Sequence, residues 1–130
     1  FEHAIEVTRE IGSIGARLHL KNAASCLAKG QWPACIRESI HAVESVAVKL
    51  APEKRTLGGA LAALEKNGRI HSGLKTAFST LYGYTSDEEG VRHALVFDEK
   101  AKVDEADALF MLGACSSFVS YLLTRGAAEK

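Results

Sequence analysis

Proline is scarce in this chain, cysteine pairs are absent, and neither sign of charge dominates. Only two prolines occur in 130 residues, at Pro33 and Pro52, so helix can run almost unbroken between them. The three cysteines, Cys26, Cys35 and Cys115, are an odd number without a CxxC spacing. That excludes a disulfide framework and a cysteine zinc cluster, and a reducing, cytoplasmic setting is expected. Sixteen basic residues balance sixteen acidic ones, so the general basic excess of a dedicated nucleic-acid-binding module is missing and any RNA site must be local. The most apolar stretch, Ala106 to Leu123, is interrupted by Asp107, Gly113 and several serines. It falls short of the roughly 20 apolar residues a bilayer demands, and no membrane partner is expected. The N-terminus, with Glu2, His3 and Glu6, has neither the basic nor the apolar region of a secretory signal. No GxxxxGK[ST], GxSxG or HExxH spacing occurs, which removes support for phosphate-loop, serine-hydrolase and zincin chemistry.

What is present favours an all-α fold. Hydrophobic residues are 47% and charged residues 25% of the chain, a composition that builds a core rather than a disordered segment. A length of 130 residues suits a single domain. Alanine and leucine together supply 34 residues, and both favour helix. Between the two prolines, Ile36, Ile40, Val43, Ala47 and Leu50 recur at helical spacing and predict one core-facing stripe. Ahead of it, Ile14, Leu18, Leu20, Ala24 and Leu27 form a looser stripe, with a bend or break expected near Gly12. Thr56 opens a short helix over Leu57, Leu61 and Leu64 that Asn67-Gly68 stops, and Leu74, Ala77, Phe78, Leu81 and Tyr82 form a further stripe ending at Gly83. Ser86 and Glu89 have the spacing of a capping box that opens another short helix. Asp104 starts the last one, with Leu109, Leu112, Cys115, Val119 and Leu122 on one face. The connection around Phe97 to Lys102 is the expected mobile segment, and no hairpin pattern occurs. The three cysteines fall among apolar neighbours in helical patterns and read as small buried hydrophobes.

Two polar clusters are candidates for chemistry. On a helix begun at Ser86, Glu89 and His93 share a face, while Arg92 points about 100° away from His93. The same residues also read as an exposed Glu88–Arg92 pair beside a histidine that bonds a carbonyl or carboxylate. In the proline-bracketed helix, Arg37, His41 and Glu44 flank the apolar stripe, where they would line a groove between helices or make an ordinary solvated face. Glu38-x-x-His41 is half of the carboxylate-bridged metal signature of helical bundles, and the second pair is missing. No metal and no cofactor are therefore expected. Charge is uneven: residues 86–107 hold eight acidic and three basic residues, an acidic patch.

The run Arg37-Glu38-Ser39-Ile40-His41-Ala42-Val43-Glu44-Ser45, then Thr56-Leu57-Gly58, Ile70-His71 and Leu74-Lys75, then Leu81-Tyr82-Gly83-Tyr84-Thr85-Ser86-Asp87-Glu88-Glu89-Gly90-Val91-Arg92-His93-Ala94-Leu95, resembles the C-terminal helical domain of AbiJ-like abortive-infection proteins. That domain is similar to the HEPN superfamily (higher eukaryotes and prokaryotes nucleotide-binding), helical bundles of phage-defence and toxin–antitoxin systems, many of them dimeric, metal-independent ribonucleases. The resemblance implies a HEPN-like bundle of five to six helices over residues 1–130, which begins at Phe1 and is expected to be the C-terminal part of a longer protein with an upstream domain. It further implies a homodimer in an antiphage protein, with RNA or another ligand as partner. HEPN nucleases carry Arg-Asn-x-x-Gly-x-x-His; here Gly90 and His93 match, Asp87 replaces Asn, and Ser86 stands where Arg is expected. In the nuclease form His93 is the general base for the ribose 2′-hydroxyl and Arg92 the phosphate anchor. Arg37, His41 and Glu44 support them across the groove, beside Ser86, Asp87 and Glu89. In the binding form the same residues hold a ligand without catalysis.

Overall fold

A computed structural model describes residues 1–11, 13–87 and 103–128 of the chain. Within them lie six helices and no strand: α1 (Glu2–Ile11), α2 (Ile14–Ala28), α3 (Trp32–Leu50), α4 (Leu57–Lys66), α5 (Ser72–Asp87) and α6 (Glu105–Ala128). The all-α expectation holds, and the expected break near Gly12 falls between α1 and α2.

Helix α3 is the axis of the bundle, with α2 and α6 packed along it and α1 laid across both α2 and α6. Pro33 sits in its first turn, where a missing amide hydrogen costs nothing. Ile36, Ile40, Val43 and Ala47 are buried as their spacing predicted, and Leu50 is half-buried. Ser39 is buried in the same face and its hydroxyl donates to the carbonyl of Cys35 at 2.8 Å, so the polar group is satisfied inside the core. Helix α4 packs against α3 and α5 against α4, while Phe78 of α5 reaches Phe118 of α6 with ring centroids 4.4 Å apart.

Helix ends follow local chemistry. Gly30 (φ +74°) and Gly68 (φ +75°) end α2 and α4, and each is followed by the two backbone bonds of a Schellman turn. Gln31 N–H donates to Cys26 at 2.8 Å and Gly30 N–H to Leu27 at 3.1 Å; Arg69 N–H donates to Leu64 at 2.9 Å and Gly68 N–H to Glu65 at 3.0 Å. A side chain at either glycine would be strained. Thr56 caps α4 by accepting from Gly59 N–H at 3.1 Å. Asp104 and Asp107 accept from each other's backbone amides at 3.1 and 3.0 Å, which opens α6 where the sequence placed its start.

Five details differ from the sequence expectation. Ile14 and Leu18 are not core residues: they are 72% and 55% exposed, and Ala16 and Ala23 join the expected Leu20 in facing the core. The reason is close helix packing, since Gly15 lies so near α3 that a Cβ there would come 2.7 Å from Ser45 Oγ, and only small side chains fit such a seam. Gly83 does not end α5, which runs on to Asp87; glycine weakens a helix but stops it only by adopting positive φ, as Gly30 and Gly68 do. Ser86 therefore lies inside the last turn of α5 and opens no new helix. Within α5, Phe78 is buried while Leu74 and Ala77 are exposed, and in α6 Ala108 takes the core position expected of the exposed Leu109. The expected mobile connection at 97–102 lies outside the described residues.

Helix α6 is the one described helix long and apolar enough to cross a bilayer by length and composition, and half of that window is buried inside the bundle. Met111, Leu112, Cys115, Val119, Leu122 and Leu123 account for its inward face.

Candidate functional site

The face where α2 crosses α3 gathers polar side chains in a way that neither helix shows alone. On α3, Glu38 and His41 are three residues apart, and Glu44 three further, so all lie along one flank. The close approach at Gly15 and the Gly30 turn bring α2 alongside in reverse direction, which places His19 and Asn22 against that flank. His19 Nδ1 lies 3.4 Å from Glu38 Oε1, and Asn22 Nδ2 donates to the same oxygen at 3.1 Å. The other oxygen, Glu38 Oε2, faces His41 Nδ1 at 3.6 Å, and His41 Nε2 faces Glu44 Oε1 at 3.9 Å. The two imidazoles meet edge to face with centroids 5.3 Å apart.

Glu38 is the centre of this group and its least exposed member, at 15% of its side chain, against 34% for His19 and 43% for His41. Burial alone would push its carboxyl up. The Asn22 amide, the His19 ring and the neighbouring positive potential of His19 and His41 outweigh that, and hold it below its ordinary value. The carboxylate therefore stays ionised at neutral pH between two imidazoles, an arrangement that can take up a proton or a cation.

Of the residues singled out in the sequence, His41 and Glu44 belong to this cluster. Arg37 lies one turn before His41 on the exposed side of α3. Ser86 and Asp87 close α5, whereas Glu89, Arg92 and His93 lie outside the described residues. The chain re-enters the described structure at Val103, which is buried, and α6 opens against α3: Cys35 Sγ lies 3.9 Å from the carbonyl oxygen of Ala108.

Compared with protein-family models, curated proteins and solved structures, the chain matches none of them. The site must therefore be judged on its own chemistry.

His19 and Asn22 had no signal in the sequence. His19 sits in a stretch whose apolar pattern is loose, and its partner lies 19 positions away, a pairing fixed only by the α2–α3 register. The buried Cys35 and Cys115 offer no competing chemistry. Burial pushes the Cys35 thiol up to about 11 and the Cys115 thiol up to about 12, far from a reactive thiolate at neutral pH.

Proposed function

We propose that this chain is a HEPN-like helical module of an abortive-infection protein, one that pairs with itself and binds RNA or a related phosphate-bearing ligand without cleaving it. Residues 37–45 and 81–95 carry the resemblance, and an all-α bundle is the architecture it implies. The observation that supports a binding role most is the assembled polar flank of α3, with His41 between Glu38 and Glu44 and the exposed Arg37 one turn away. Arg37 supplies the cation that meets phosphate, because a guanidinium matches phosphate oxygens in a planar fork. Asp87, Glu88 and Glu89 within the incomplete motif repel phosphate at short range, which argues against cleavage at that motif and leaves Arg37 as the phosphate contact.

Fluorescence anisotropy with a labelled single-stranded RNA, run beside a gel for cleavage products, tests this reading. Binding that weakens at least about tenfold in Arg37→Ala, with no product, is expected. Products that vanish in His93→Ala would replace the binding role with the nuclease one, in which His93 acts as base and Arg92 holds phosphate. Neither binding nor products would reject both. Light scattering should report a dimer, and a strict monomer at high micromolar concentration contradicts self-pairing.

A further inference from the structure

We propose that His19, Glu38 and His41 form a binding site for a single divalent first-row transition metal ion, of which Zn²⁺ is the representative probe. The site goes beyond the ligand-binding role above and does not depend on it. Each of the three residues offers one donor atom, and the three donor atoms lie within 4.8 Å of one another. Bonds of about 2.0–2.2 Å to a tetrahedral zinc place neighbouring donors about 3.3–3.5 Å apart. His19 Nδ1 lies 3.4 Å from Glu38 Oε1 and His41 Nδ1 lies 3.6 Å from Glu38 Oε2, so each ring already stands at that spacing from one oxygen of the carboxylate. Side-chain rotation of the two partly exposed rings and the carboxylate brings one oxygen and both nitrogens onto a single ion.

The chemistry of the donors selects the ion. Two imidazole nitrogens and one carboxylate suit zinc, cobalt or iron(II), whereas calcium and magnesium require oxygen donors throughout. The surroundings are those of a supported metal site. Asn22 fixes the Glu38 carboxylate through its amide. On the far side of His41, Glu44 Oε1 lies 3.9 Å from Nε2, a side-chain rotation away from accepting the proton of that nitrogen once Nδ1 is bound. With both rings open to solvent, the fourth coordination position is free for water or an incoming ligand. The ion would also pin α2 to α3, because its ligands come from both helices.

The test is calorimetric titration of Zn²⁺ into the metal-stripped chain, on wild type, His19→Ala, His41→Ala and Glu38→Gln, with His3→Ala as a control. One zinc per chain is expected, with affinity reduced at least about tenfold in each of the three site variants and unchanged in the control. A thermal scan adds a second readout: zinc should raise the midpoint of wild type by several degrees and leave that of His19→Ala and His41→Ala unmoved. All three residues are partly exposed, so these variants stay folded, and circular dichroism verifies it. Absence of zinc uptake, or uptake by His19→Ala and His41→Ala with the affinity of wild type, would overturn the proposal.

Discussion

Glu38 holds two imidazoles and an amide at once, and its ionisation is therefore tied to the stability of the α2–α3 seam. Its carboxyl is held below its ordinary value, so the unfolded chain takes up a proton more readily than the folded one. The stability it contributes is present above the ordinary carboxylate range and is lost as pH falls through the lower, folded value. Glu38→Gln should cost on the order of 1 kcal/mol at pH 7, and urea unfolding should show that gap closing by about pH 3. An equal gap at both pH values would contradict the role given to this carboxylate. The thiols make a second residue-scale prediction. Cys35 and Cys115 are buried and Cys26 is half-buried, so brief alkylation of the native chain at pH 8, read by peptide mass mapping, should label Cys26 and spare the other two. Comparable labelling of Cys35 or Cys115 would mean that the core opens far more readily than its packing implies.

Among the elements, the α2–α3 pair decides whether the site exists, and its seam rests on one glycine. A methyl group at Gly15 would meet Ser45 Oγ at 2.7 Å but Ser45 Cβ at an ordinary 3.9 Å. Gly15→Ala should gain helix propensity of about 0.5–1 kcal/mol in a Ser45→Ala background and lose most of that gain beside the native serine. Denaturant unfolding of the four variants measures the coupling, and strict additivity would show that the helices do not touch there. The same seam explains which parts of the fold were legible. The stripe of α3 and the start and stop of α4 could be read directly, because apolar spacing, capping threonine and left-handed glycine are local signals. The inward face of α2 could not: close approach favours Ala16 and Ala23 over Ile14 and Leu18, so the larger apolar residues mark the outside. Gly83 looked like a stop and is not one, since a glycine ends a helix only where the backbone turns left-handed. For the site, Glu38 and His41 were visible as neighbours on one helix, whereas His19 enters through tertiary register alone.

At the scale of the whole molecule, α1, α2, α3 and α6 enclose most of the core and α4–α5 close it with Leu61, Leu64 and Phe78, leaving the polar flank of α3 presented beside α2. The bundle assembles His19, Glu38 and His41 into one electrostatic unit at the α2–α3 seam. The most direct measurement is an NMR correlation spectrum of the histidine ring Cε1–H signals in wild type and Glu38→Gln. The account predicts that the His19 and His41 signals shift together on this single substitution while those of His3 and His71 stay in place. Ring signals of His19 that ignore Glu38→Gln would contradict it.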